Sequence, residues 1–143
     1  GARGVQMGTR FVCTEESGAS EEFMQKYLEA EEGHIVYTVS PVGYPGRVIE
    51  TDFSRYVNSA ARNDETNVQK EEANYHCPAK CLEVCSYRES KGKRDYCIIE
   101  ALHIARAGDA ESGIVFAGSN AYRAKEQGVV PAKQILDELT ATD

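Results

Sequence analysis

The 143-residue chain has room for one domain with a sizeable core, and 41% hydrophobic against 27% charged residues is the balance of an ordinary soluble globular protein. A formal net charge of −7 and a pI near 5.0 leave out the basic footprint of a nucleic-acid binder, and no apolar run approaches a membrane span, so neither nucleic acid nor membrane is expected as a partner. Five cysteines, an odd count, with no visible secretory signal fit reduced thiols in a cytoplasmic protein better than a disulfide framework.

Gly4 to Phe11 (GVQMGTRF) reads as a short buried strand ending in a Gly-Thr step. A glycine there lets the backbone approach a ligand, and the threonine hydroxyl and nearby N–H groups can donate to a phosphate. Thr14 to Ser20 is polar, contains Gly18 and reads as a loop. Ser20 is placed to cap a helix whose first turn carries Glu21 and Glu22, where the helix dipole favours acids. Phe23, Met24, Tyr27 and Leu28 fall on one face of that helix, and Gly33 is expected to end it.

His34 to Val39 (HIVYTV) is β-branched and aromatic, the composition of a strand. Ser40 to Arg47 (SPVGYPGR) holds two prolines and two glycines, so its path is set by turn chemistry. Val48 to Val57 is expected to start a short helix with Phe53 and Val57 inward. Asn58 to Ala73 is polar and weakly patterned, a candidate helical connection. The basic run Arg88 to Arg94 (RESKGKR) has no interleaved aromatic platform and reads as a solvated loop.

Asp95 is a candidate cap for a helix running to Ala107, with Cys97, Ala101, Leu102 and Ala105 on its buried side and Gly108 past its end. Gly113 to Phe116 (GIVF) is a short apolar strand, followed by a polar turn at Ser119 and Asn120 that leads to Tyr122. Loops after strands often carry function in α/β proteins. Pro131 suits the first position of a last helix bearing Ile135, Leu136 and Leu139.

Cys77, Cys81 and Cys85 follow a C-x₃-C-x₃-C spacing, and Cys97 comes later. On a helix that spacing puts three thiols along one drifting face, and thiolates favour zinc or iron–sulfur clusters. Structural zinc sites pair two knuckles, though, and no second knuckle is present here. Buried or incidental thiols and a metal-binding or interaction module therefore both stay open, and no metal ligand is assigned.

Three stretches resemble the C-terminal half of the nitronate monooxygenase family, formerly the 2-nitropropane dioxygenases, whose fold is shared by flavin-dependent enoyl reductases. They are Gly1 to Glu16 (GARGVQMGTRFVCTEE), Ser40 to Arg47 (SPVGYPGR) and Tyr96 to Tyr122 (YCIIEALHIARAGDAESGIVFAGSNAY). The resemblance implies an α/β chain, the C-terminal portion of a (β/α)₈ TIM-type FMN barrel with a helical extension. Gly4 to Phe11 would be the eighth strand, and Gln6, Met7, Gly8 and Thr9 would help hold the FMN phosphate. It also implies that Ser119, Asn120 and Tyr122 lie near the flavin mouth.

The implied substrate is a small molecule, a nitronate first and an enoyl thioester second. The family's histidine base lies upstream of the matched region, and His34, His76 and His103 stand in no matching context, so no catalytic residue is assigned. A chain that begins at Gly1 with no initiator Met or leader, and is shorter than the roughly 250 residues of a whole barrel, is expected to be a fragment, a processed chain or an incomplete sequence. The isolated chain is expected to be inactive, rich in helix and poor in strands.

Overall fold

The computed structural model describes residues 4, 6–41, 43–59, 77, 81, 83–90 and 96–141. The opening segment departs from the sequence reading. Gly4, Gln6 and Met7 carry no regular structure, and a single helical turn, α1 (Thr9–Val12), follows Gly8. A strand must pair its backbone N–H and C=O groups with a neighbour. Among the described residues, the pairing near this segment is one isolated parallel bridge from Thr14 to Val130, beyond the expected strand.

α2 (Glu21–Leu28) begins where its capping chemistry says it should. The Ser20 hydroxyl accepts from the Phe23 N–H at 3.1 Å, and Glu21 and Glu22 occupy the first turn. Tyr27 is buried, with Phe23, Met24 and Leu28 half-buried beside it. The helix stops at Leu28 rather than at Gly33, which instead lies in a 3₁₀ turn, Glu32–His34. That turn is closed by two bonds: the His34 N–H donates to Glu31 O at 3.0 Å, and the Glu31 N–H donates to His34 Nδ1 at 3.1 Å.

Among the described residues the sheet is three-stranded, in the order β1–β2–β3, and both pairings are antiparallel. β1 is Ile35–Val39, β2 is Pro45–Ile49 and β3 is Val115–Phe116. Ser40 to Arg47 is thus only partly a turn. Gly43, with φ at +84°, makes the reversal, and the chain then enters β2 at Pro45. A proline is tolerated at the first residue of a strand. Gly46 leaves room for the Phe116 ring to lie across it: a Cβ on Gly46 would fall 2.3 Å from Phe116 Cε1.

α3 (Asp52–Asn58) starts later than read, because Thr51 and Ser54 form a capping box. Val57 is buried and Phe53 half-buried, as expected. The connection read over Asn58 to Ala73 lies almost wholly outside the described residues, as do residues 91–94 of the basic run, whose Arg88 and Glu89 belong to a short helix rather than a loop. The helix read from an Asp95 cap begins later, at Ile98, with Cys97 as its capping residue.

After the short helix α4 (Ser86–Glu89), α5 (Ile98–Ala107) presents Ala101 and Ala105 to the interior, and Gly108 closes it at φ +123°. The loop from α5 to β3 packs directly on α5. Ile114 N–H donates to Ala101 O at 3.1 Å. A Cβ on Gly113 would sit 2.5 Å from Ala101 O and 2.6 Å from Ala105 N, so only glycine permits this approach. Thr51 Oγ1 donates to Gly113 O at 3.0 Å and ties α3 to the same seam.

The remaining described elements are a 3₁₀ turn (Ala121–Arg123), α6 (Ala124–Gln127) and α7 (Ala132–Thr140). Pro131 is the capping residue of α7, one position earlier than read, and Glu16 Oε2 accepts the first N–H of the helix, from Ala132, at 2.8 Å. Ile135 is fully buried, whereas Leu136 and Leu139, read as part of the same inward face, are 51% and 42% exposed. Among the described residues, then, α7 covers a stripe one residue wide. No helix of the described residues is long and apolar enough to cross a membrane.

Candidate functional site

α1, the loop after β3, α6 and α7 surround a cleft of about 690 Å³. Gln6, Met7, Gly8 and Thr9 all line it, joined by Gly118, Ser119 and Asn120 from the far end of the chain. Thr9 makes the junction: its hydroxyl oxygen accepts from the Gly118 N–H at 2.9 Å, across 109 residues of sequence. Accepting that bond leaves the hydroxyl hydrogen free to point elsewhere. Among the described residues, the N–H groups of Ser119 and Asn120 find no acceptor.

The two glycines have different reasons to be here. A Cβ on Gly118 would come 3.3 Å from Thr9 Oγ1 and crowd the junction. A Cβ on Gly8 would meet nothing within 4 Å, and its φ of −111° is open to any residue. What the absence of a side chain at Gly8 does is keep the backbone accessible from the cleft.

The charges of the lining cancel in pairs. Arg10 Nη2 donates to Glu138 Oε2 at 2.6 Å, and Arg10 Nε to Gln127 Oε1 at 3.0 Å. Gln127 Nε2 in turn donates to Arg10 O at 2.9 Å, and Gln134 Nε2 to Glu138 Oε1 at 3.2 Å. Arg123 grips Glu126 within its own turn, Nη2 to Oε2 at 2.9 Å. Hydrogen bonds from Arg10 and then Gln134 hold the Glu138 carboxyl below its ordinary pKa, and one from Arg123 does the same to Glu126. Carboxylates held ionised in this way are weak bases.

Tyr122, Arg47, the described histidines and Cys13 lie elsewhere. Tyr122 is half-buried and packs against the main core cluster rather than lining the cleft. Arg47 sits in β2, stacked 5.0 Å from the centre of the Tyr37 ring and donating to its hydroxyl at 2.6 Å. His34 serves its 3₁₀ cap, His103 is exposed on α5, and neither lines the cleft; His76 lies outside the described residues. Cys13 is buried, and burial pushes its thiol pKa up, the opposite of what a reactive thiolate needs. Cys77, Cys81, Cys85 and Cys97 carry no disulfide, and among the described residues no three His, Cys, Asp or Glu side chains converge as a metal site would require.

A model of the nitronate monooxygenase family matches residues 1–142. The chain belongs to that family. It is 36% identical over 81 residues to a probable nitronate monooxygenase of Staphylococcus saprophyticus, a match covering 51% of this chain and 23% of that protein. It is also 37% identical over 62 residues to a protein of Mycobacterium tuberculosis named (3aS,4S,5R,7aS)-5-hydroxy-7a-methyl-1-oxo-octahydro-1H-indene-4-carboxyl-CoA dehydrogenase. That match covers 43% of the chain and 18% of the relative. The matched segments therefore span less than a quarter of either relative.

Sequence reading missed the side of this cleft built by Arg10, Gln127, Gln134 and Glu138. Arg10 stood within the quoted opening stretch. The other three carry no local signal, because surface glutamines and glutamates on short helices are ordinary.

Proposed function

We propose that this cleft holds the phosphate end of FMN, and that the chain is part of a (β/α)₈ flavin barrel of an FMN-dependent oxidoreductase acting on nitronates. The observation that carries the reading is the Thr9–Gly118 hydrogen bond, which brings Gly8, Thr9, Ser119 and Asn120 to one cleft. Its lining fits a phosphate: a rotatable hydroxyl and backbone N–H groups without a described acceptor can donate, and the space beside Gly8 is open. Gln6 and Met7 line the approach to that end.

FMN, when bound, supplies the two-electron redox chemistry. The chain's own residues bind and orient the phosphate end. They supply no free base among the described lining groups, since Glu126 and Glu138 are each paired with an arginine. On this reading the 143-residue chain binds flavin without turning over nitronate. An acyl-thioester substrate is the second reading, favoured by the carboxyl-CoA in the name of the mycobacterial relative.

Flavin fluorescence titrations test the assignment. The chain should bind FMN at least about tenfold more tightly than riboflavin, which lacks the phosphate and its charge-assisted bonds. Thr9→Val should erase most of that difference by removing both the hydroxyl donor and the acceptor for Gly118 N–H. Equal affinity for the two flavins would sink the phosphate assignment. Adding nitronate or an enoyl thioester to the flavin-loaded chain, with oxygen uptake as readout, checks the predicted lack of turnover above free FMN.

A further inference from the structure

Arg10 follows Thr9 directly and shares its cleft, yet its guanidinium is held by Glu138, so the strongest cation beside the proposed phosphate end is already neutralised. We infer that Arg10 is a specificity-determining anion ligand of this cleft and that Glu138 competes with the incoming phosphate for it. The inference rests on the cofactor reading above and adds how the site chooses an anion.

Three features support it. The guanidinium is positioned by parts remote in sequence: Gln127 of α6 takes Nε at 3.0 Å and Glu138 of α7 takes Nη2 at 2.6 Å, at separations of 117 and 128 residues. Gln127 is itself anchored by donating to Arg10 O at 2.9 Å and Cys13 O at 3.4 Å, so Arg10 is held at the wall even if Glu138 lets go. Second, an arginine has five N–H donors, and the contacts with Gln127 and Glu138 use two of them, leaving donors for a second oxyanion in the same plane.

Third, the Arg10–Glu138 pair is solvent-accessible, with side chains 38% and 49% exposed. Ion pairs of that kind are weak, because water screens them and holding two long side chains costs entropy. A phosphate carries more charge and more acceptor oxygens than one carboxylate, so it can displace Glu138 from the guanidinium. The second cation of the lining, Arg123, is paired within its own turn with Glu126, both 58% exposed, and has no such anchored side.

The two partners must then affect binding in opposite directions. The full chain and its Arg10→Gln and Glu138→Gln variants are titrated with FMN and with riboflavin, while circular dichroism melting follows folding. Arg10→Gln should weaken FMN binding by about tenfold to a hundredfold, the range for a lost charge-assisted bond. Arg10→Lys should restore part of it, keeping the charge without the planar fork. Glu138→Gln should tighten FMN binding by about threefold to fivefold, the release of a weak surface pair. Riboflavin affinity should not follow either change.

A folding defect cannot mimic tighter binding, so Glu138→Gln keeps the test sharp even if Arg10→Gln melts early. Weaker or unchanged FMN binding in Glu138→Gln overturns the competition. An FMN-over-riboflavin preference that survives Arg10→Gln overturns the role of Arg10 while leaving the cofactor reading intact. A wild-type chain with no preference for FMN overturns the cofactor reading and this inference together.

Discussion

Gly113 and Gly8 occupy opposite surroundings. At Gly113 a Cβ would strike the backbone of α5 at 2.5 and 2.6 Å; at Gly8 it would meet nothing within 4 Å. The first glycine belongs to a seam where β3, α5 and Thr51 are packed backbone to backbone. Ile114, Val115, Ala105 and Thr51 around it are all fully buried. The second belongs to a cleft walled by polar side chains, where Arg10, Gln127, Gln134 and Glu138 hold one another by hydrogen bonds. The seam is organised by exclusion of water and the cleft by access to it. A substitution in the seam should therefore cost folding, and one in the cleft should cost binding.

The sharpest way to break that contrast is Gly113→Ala. The backbone of Ala101 and Ala105 cannot yield as a flexible side chain would, so a loss of about 3 kcal/mol or more is expected, in the upper range for overpacking. Chemical denaturation measures it, and a loss below about 1 kcal/mol, the centre of ordinary substitutions, would mean that α5 and β3 do not meet as described.

Tyr27→Phe comes next. The Tyr27 hydroxyl donates to Phe116 O at 2.6 Å in the buried core, and burial, with a smaller contribution from Cys13, raises its pKa. Removing the hydroxyl leaves that carbonyl without its donor, at a cost of about 1–2 kcal/mol. A wild-type-like melting curve would show that Phe116 O is served by something else.

Glu111 joins the seam to solvent and has a smaller effect that depends on pH. Burial disfavours its charged form, but hydrogen bonds from Lys26 and from the Asp52 N–H at 2.9 Å outweigh that and hold the carboxyl below its ordinary pKa. A depressed folded-state pKa means the contribution is complete above the unfolded value, about 4.3, and is lost as pH falls through the folded one. Glu111→Gln should lower stability at pH 7 and flatten the decline below about pH 4.3, where the unfolded carboxyl protonates. Parallel acid-denaturation curves for the two proteins would contradict this.

The smallest expected change in stability is that of Gly8→Ala, within about 0.5 kcal/mol, as for substitutions that disturb no packing. Its value lies in the second readout. FMN affinity should fall while the melting temperature holds, because the methyl group enters the cleft and not the core. Loss of stability without loss of affinity would place Gly8 with Gly113 and erase the distinction between the regions.

Local chemistry was legible where one element decides it. Ser20 with Glu21 and Glu22 announced α2, the β-branched run announced β1, and Gly108 marked the end of α5. Pro45 and Gly46 misled, because their turn chemistry is overridden by pairing with Val39 and Thr38 and by the Phe116 ring lying across Gly46. The opening strand misled for a related reason. An apolar run ending in Gly-Thr suits a strand, but a strand exists only beside a partner, and the Thr9 side chain instead takes the Gly118 N–H.

The sequence by itself determined the family, through three quoted stretches, and it placed Gln6, Met7, Gly8 and Thr9 together because they are adjacent in the chain. Tertiary structure alone decided what faces them. Gly118 and Glu138 reach the same cleft across 109 and 128 residues, and contacts over such separations depend on how α6 and α7 pack against α1. Periodicity and capping report the energies of neighbours along the chain, whereas a site closed by hydrogen bonds between distant segments becomes visible only when the fold has paid the entropy of bringing them together.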